Sequence, residues 1–293
     1  MTNIWELYLG VEGLIVVAKN PVPMHKQIVR AGYDTIGSAY TAGRQLDNEH
    51  LAMLNDLVSR LSRDARVLDA GCGAGVPVTR WLSERVQVTG VDISDAQITA
   101  ARRAVPQVEF ICADMTQMDF LDESFDAICS LHSVIHIPRE EHRPLLRTFH
   151  RMLKPEGLML LCMGSGDWPG EVEEFFGAPM YWSHYDAETN LALTQECGFG
   201  IAWSRMVTDG LDPEAASAHL FILAQKMDAV ALQSHEPKEL AQDPMACSKP
   251  PWPGNQSRCV TRRHDSRTQC RRKMPASYPT CTTAYFTLIE VAV

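Results

Sequence analysis

The chain has no uninterrupted run of some twenty apolar residues, no two cysteines in a C-x-x-C pair and no excess of basic residues. The first absence argues against a membrane-spanning helix, which needs about 20 such residues. The most apolar early stretch, Leu7 to Ala18, is short and broken by Gly10, Glu12 and Gly13. No basic segment precedes it as in a secretory leader, so a cytoplasmic protein without membrane attachment is expected. The second absence argues against a metal ribbon. Cys72, Cys112, Cys129, Cys162 and Cys197 stand singly and read as small buried hydrophobes in a reducing compartment. Cys247, Cys259, Cys270 and Cys281 are too evenly spread for a zinc motif, so no metal is expected. The third absence bears on partners. Residues 1–227 hold 18 of the 27 Lys and Arg but 30 of the 36 Asp and Glu. A body this acidic repels phosphate backbones, which argues against a nucleic-acid partner.

What is present suits a folded domain, since 45% of residues are hydrophobic and 22% charged. Three zones follow from local pattern. Residues 1–26 form an N-terminal extension ending near the Asn20-Pro21-Val22-Pro23 break. Residues 27–227 alternate strand-like and helix-like runs. Residues 228–293 carry seven of the 17 prolines, the basic segment Arg262 to Lys273 and no amphipathic period, and read as a disordered tail.

Within the middle zone, Leu51, Leu54, Leu57, Val58 and Leu61 recur at helical spacing. Strands are predicted at Arg66 to Asp69, Val86 to Val91, Val108 to Cys112, Phe125 to Leu131 and Leu158 to Met163. Helices are predicted from near Pro77, over Asp95 to Ala104, and through Leu145, Leu146, Phe149, Met152 and Leu153. This alternation implies right-handed βαβ units and a mostly parallel, doubly wound sheet. Asp186 is a plausible N-cap for a helix running to Cys197, with Gly198 ending it. Ile201 to Val207 and Leu220 to Ala224 then follow as two strands with only a loop between them, which suggests an antiparallel hairpin closing the sheet.

The strongest chemical signal is Asp69-Ala70-Gly71-Cys72-Gly73-Ala74-Gly75, placed between the first of these strands and a helix. Glycines there let the backbone turn tightly and approach a ligand. Asp92 ends the second strand, where a carboxylate can accept both hydrogen bonds of a ribose diol. Asp114 follows the third strand and can meet an adenine amine, with Met115 packing on the ring. Each aspartate alone could equally be a cap or a turn residue. A dinucleotide fingerprint wants Gly or Ala where Val76 stands and holds a pyrophosphate on a helix N-terminus. A sulfonium nucleotide has no phosphate and tolerates an acidic neighbour such as Asp69, so the choice tilts from NAD to S-adenosylmethionine.

Together, Asp69 to Gly75, Asp92, Ala113-Asp114, Phe125-Asp126 and Leu153-Lys154-Pro155-Glu156-Gly157 resemble the ordered motifs of class I S-adenosylmethionine-dependent methyltransferases, over about Gly32 to Lys226. The resemblance implies a Rossmann-like seven-stranded sheet with an antiparallel last strand. It implies S-adenosyl-L-methionine as cofactor, held by Asp69, Gly71, Gly73, Gly75, Asp92, Asp114 and Met115. The family usually has Gly where Glu156 stands.

The resemblance does not name the acceptor. Where enzymes methylating DNA or glutamine amino groups carry Asn/Asp-Pro-Pro-Tyr, this chain has Ser130-Leu131-His132-Ser133-Val134-Ile135-His136-Ile137-Pro138. His132 and His136 are therefore candidate general bases, since imidazole titrates near neutrality. An aromatic insertion near 165–185 offers Trp168, Tyr181, Trp182, His184 and Tyr185 as an acceptor surface, or simply as packing. Tyr33 and Tyr40 are candidates to close over the cofactor. The expected function is methyl transfer to a small molecule. The alternatives are a catalytically silent nucleotide-binding partner and an NAD-dependent oxidoreductase, the last lacking any Tyr-x-x-x-Lys pair.

Overall fold

A computed structural model describes residues 4–10, 13–19, 23–43, 45–208 and 218–227. All of these lie in one compact unit, Met1–Glu239. The tail expected to be disordered lies outside the described residues.

Seven strands form the main sheet: β3 (Arg66–Ala70), β4 (Gln87–Asp92), β5 (Glu109–Cys112), β7 (Phe125–Ser130), β8 (Leu153–Gly164), β11 (Phe199–Thr208) and β12 (Ala218–Lys226). Their spatial order is β11-β12-β8-β7-β3-β4-β5. The five strands from β5 to β8 are parallel, β12 runs antiparallel to β8, and β11 pairs antiparallel with β12. This is the expected α/β sheet, closed by the expected hairpin.

Period-two alternation explains why the strands are apolar on both faces. Leu68, Ile128, Met159, Leu161 and Ile222 point to one side. There they meet Leu145, Leu146, Phe149 and Met152 of α5 (Arg139–Met152) and Leu193 of α6 (Ala187–Glu196). Val67, Ala127, Cys129, Leu158, Leu160 and Phe221 point to the other side. There they meet Met53, Leu54 and Leu57 of α2 (Asn48–Ser59) and Leu82 of α3 (Val78–Ser83). Burying one such Leu or Phe contributes about 1.5–3 kcal/mol. The two layers hold the strands rigid, and rigid strands fix where their carboxyl ends point.

Local signals set the element ends. Asp47, Ser94 and Asp186 cap α2, α4 (Asp95–Ala104) and α6 by accepting backbone N–H bonds from His50, Gln97 and Thr189. Gly198 ends α6 at φ +95°. Glu156, where the resembled family has Gly, takes φ +60° in the turn inside β8. Gly157 lies so close to the chain that a Cβ there would come within 2.8 Å of the Lys154 carbonyl oxygen.

Three features had no counterpart in the sequence reading. β1 (Ile4–Gly10) and β2 (Gly13–Lys19) form a hairpin, and β2 pairs with the two-residue β6 (Met118–Asp119). Helix α1 runs from Met24 to Gly43, so the boundary drawn at residue 26 falls inside a helix. The aromatic insertion is a second hairpin, β9 (Trp168–Phe175) with β10 (Ala178–His184).

Candidate active site

The carboxyl ends of β3, β4, β5 and β7 open on one cleft of about 1020 Å³ including its mouth. Its floor is the glycine loop after β3. Gly71, Gly73 and Gly75 have φ of +84°, +54° and +72°, a region costly for residues with a Cβ. Their surroundings differ. A Cβ on Gly71 would strike Ser133, and one on Gly75 would press on Phe110 and Ala101, so these two glycines permit close packing. A Cβ on Gly73 meets nothing nearer than 3.8 Å, because this glycine faces the cleft. Gly75 does not line the cleft, which separates it from the other cofactor candidates.

Three carboxylates line the same space. Asp69 is 2% exposed, and Thr79 donates to it at 2.6 Å. Burial pushes its carboxyl up to about 6, against the Thr79 hydrogen bond and with added repulsion from Asp92. Asp92 accepts from the Gly73 and Ser94 N–H groups, one at each oxygen, both at 2.9 Å. Its pKa is also raised, by burial first. Each carboxylate oxygen keeps a further lone pair for a ligand hydroxyl. Asp114 uses Oδ1 to accept from both the N–H and the hydroxyl of Thr116. Its Oδ2 is buried without a hydrogen bond: Lys26 Nζ lies 3.0 Å away, but its aligned bonds go to Thr116 and Glu141. The Lys26 ammonium offsets the charge of this buried oxygen.

Helix α1 forms one wall. Lys26, 4% exposed, ties it to Asp114, Thr116 and Glu141, and Asp34 ties it to Ser94 at 2.5 Å. Val29 and Ile36 pack on Ala178 and Met180 of β10. Tyr33 and Tyr40 both line the cleft, with ring centroids 5.4 Å apart.

The two candidate bases have different surroundings. His136 is buried, and burial pushes its pKa down to about 4. Nδ1 lies 2.8 Å from the Tyr181 carbonyl oxygen, so this nitrogen carries the proton, and Nε2 accepts from the Tyr33 hydroxyl at 2.9 Å. His136 is therefore neutral at pH 7, unlike the imidazole titrating near neutrality that the sequence suggested. His132 lines the cleft at φ +56°, with Nε2 3.2 Å from His50 Nε2 and Nδ1 3.6 Å from Cys162 Sγ.

None of the five acceptor-surface candidates lines the cleft. Trp182 packs its ring on His136 at 4.4 Å, and Tyr181 gives its carbonyl to His136 and its ring to His25. Trp168 lies against His184, whose Nδ1 bonds the Gly166 carbonyl oxygen. Tyr185 sits beside His142 and under Arg139. These aromatics hold the insertion to the sheet and support the wall from behind. Met115 does line the cleft. Sequence reasoning missed Lys26, Gln97 and Ser133 as lining residues and His50 as the partner of His132. Only the tertiary fold brings these together, although Asp47 and His50, three apart at a helix start, formed a local pair legible as a cap.

Residues 67–157 match a family model described as a methyltransferase domain. Over these residues the chain matches the methyltransferase domain that its motifs resemble, in a family whose methyl donor is S-adenosylmethionine. It is similar to phosphoethanolamine N-methyltransferase 1 of Arabidopsis thaliana, 29% identical over 66% of this chain and 38% of that protein. It is also similar to methyltransferase GfsG of Streptomyces halstedii, 34% identical over 38% of this chain and 42% of that one. The chain thus spans about two fifths of the length of these relatives. Among solved structures it resembles the 1,6-didemethyltoxoflavin-N1-methyltransferase of Burkholderia thailandensis, with TM-score 0.55 and 20% identity over 75% of this chain and 98% of that one. The [4+2]-cyclase SpnF has the same fold, with TM-score 0.53 and 21% identity over 70% and 97%.

Proposed function

We propose that this chain transfers a methyl group from S-adenosylmethionine to a small-molecule acceptor. The observation that carries the reading is the convergence of Gly73, Asp92 and Asp114 on one cleft, because they offer a backbone cradle and two carboxylates at successive strand ends. Asp69 adds a buried carboxylate suited to a cationic sulfur once ionised. The cofactor, when bound, supplies an activated methyl group. The chain's own work is then to align the acceptor, exclude water and receive a proton.

Proton removal falls to His132. Asp47 Oδ1 lies 2.7 Å from His50 Nδ1, which fixes the proton there and leaves His50 Nε2 as an acceptor. His132 then donates from Nε2 and holds its lone pair on Nδ1. Asp47 is exposed, so the chain Asp47–His50–His132 leads from the cleft to solvent. His136 instead positions Tyr33 and the β10 backbone.

The walls favour an acceptor without a phosphate. Among the described lining residues Lys26 is the only Lys or Arg, and Asp114 and Glu141 already neutralise it. Val29, Tyr33, Tyr40, Leu131 and Ile137 make the remaining walls largely apolar. The phosphoethanolamine named for one relative fits this poorly, and a partly apolar alcohol or amine fits better. Methyl transfer from labelled S-adenosylmethionine to a panel of such acceptors tests the reading. Turnover that falls about 10²-fold or more in His132→Ala, with cofactor affinity retained, supports it. Cofactor binding with no turnover on any acceptor would favour the silent-partner reading.

A further inference from the structure

We propose that His132, which lines the cleft, joins Cys162 and His219 in a binding site for a zinc-like divalent cation. Their ligand atoms all lie within 4.8 Å of one another, although the residues are far apart in sequence. His132 follows the end of β7, Cys162 lies near the end of β8 and His219 near the start of β12. Cys162 pairs with Phe221, and the alternation of β12 puts His219 on the face of Phe221, so the strands present both ligands on one side.

Three observations favour a cation here over a chance cluster. The first is tautomer: the Asp47–His50–His132 chain places the lone pair of His132 on Nδ1, the nitrogen facing Cys162. Ligating histidines characteristically have their other nitrogen oriented by such an outer partner, and here that partner is itself held by a carboxylate. The second is distance. Bonds of about 2.05 Å to nitrogen and about 2.3 Å to sulfur at a tetrahedral angle separate the two ligand atoms by about 3.6 Å, so a cation can replace the thiol proton that bridges His132 Nδ1 and Cys162 Sγ at 3.6 Å without moving either residue. The third is backbone. His132 takes φ +56°, a conformation that costs about 1 kcal/mol or more in a non-glycine residue and persists where the surroundings demand it.

One thiolate with two imidazoles suits Zn²⁺ or a similar late first-row cation. Three protein ligands leave a fourth position for water or for an acceptor heteroatom, whose pKa the cation would lower. Binding turns His132 from a proton acceptor into a ligand and releases the Cys162 thiol proton to solvent. The inference rests on the ligand positions and not on methyl transfer.

The full chain, stripped by a chelator, is titrated with Co²⁺ and then Zn²⁺ while thiolate-to-cobalt absorption and melting temperature are followed. Wild type should take up the cation with a thiolate band that zinc abolishes and should melt higher with zinc. Cys162→Ser should lose the band, and with it the zinc-dependent gain in melting temperature, although four tail cysteines remain. His219→Gln should bind at least 100-fold more weakly, and His50→Ala about 10- to 100-fold more weakly through loss of orientation. Retention of the full band and the zinc effect in Cys162→Ser, or equal zinc affinity in wild type and His219→Gln, would overturn the site. S-adenosylmethionine affinity, measured on the same samples, shows whether each variant is folded and separates this failure from a failure of the methyltransferase reading.

Discussion

The two halves of the cleft are built in opposite ways. On the cofactor side, Gly71 to Gly73, Asp92 and Asp114 each sit at or just beyond the end of a strand, and β3, β4 and β5 are neighbours in both sequence and space. On the acceptor side, Tyr33, His132 and His136 line the cleft from α1 and the loop after β7, and His50, Cys162 and His219 reach His132 from α2, β8 and β12. A half made of consecutive strand ends tolerates change elsewhere. A half made of distant segments depends on how helices and a hairpin dock.

The sharpest way to break the comparison is Gly73→Leu. Its side chain would enter the cleft rather than the core, so S-adenosylmethionine affinity by calorimetry should fall more than 100-fold while the melting temperature moves only a few degrees. A large thermal loss with intact affinity would place Gly73 in the packing instead.

Asp92→Ala comes next. It removes the acceptors proposed for the ribose diol, and at about 1.5–3 kcal/mol for a charged hydrogen bond the affinity should fall about 10- to 150-fold. Equal affinity of variant and wild type would remove Asp92 from the binding site.

A third test uses pH. Burial raises Asp69 to about 6, so below that pH it is protonated and can no longer favour a cation. Affinity for S-adenosylmethionine should fall by up to about tenfold per unit as pH drops below 6. Affinity for S-adenosylhomocysteine, whose sulfur is neutral, should fall less. Parallel pH profiles for the two ligands would mean that Asp69 does not sense the sulfonium.

The last test lies on the acceptor side. His136 has its pKa lowered from 6.5 to about 4, so between these values the unfolded chain binds more protons than the folded one. The stability this contributes is present above pH 6.5 and is lost as pH falls toward 4. His136→Gln should therefore flatten the acid side of the stability profile by up to about 1.4 kcal/mol per pH unit, seen in denaturant titrations at several pH values. Identical slopes would mean that His136 titrates normally.

How much could be read in advance follows the same division. The glycine loop, Asp92, Asp114 and the capping residues Asp186 and Gly198 were legible because each acts within a few residues of its own backbone. The aromatic insertion was visible as composition, with acceptor surface and packing both left open; Trp168, Tyr181, Trp182, His184 and Tyr185 do not line the cleft, and their contacts hold the hairpin to the fold. Helix α1 escaped notice, and with it Lys26, whose buried ion pairs reach 88 and 115 residues along the chain to Asp114 and Glu141.

The sequence by itself determined the order of strands and helices and the cofactor-facing loops, because hydrophobic period, glycine conformational freedom and caps are local properties. Tertiary structure alone decided the protonation of His136, the partner of His132 and the meeting of Cys162 with His219. Burial, tautomer and ligand distance depend on which distant segments share a space, and that is fixed only when the layers close on the sheet.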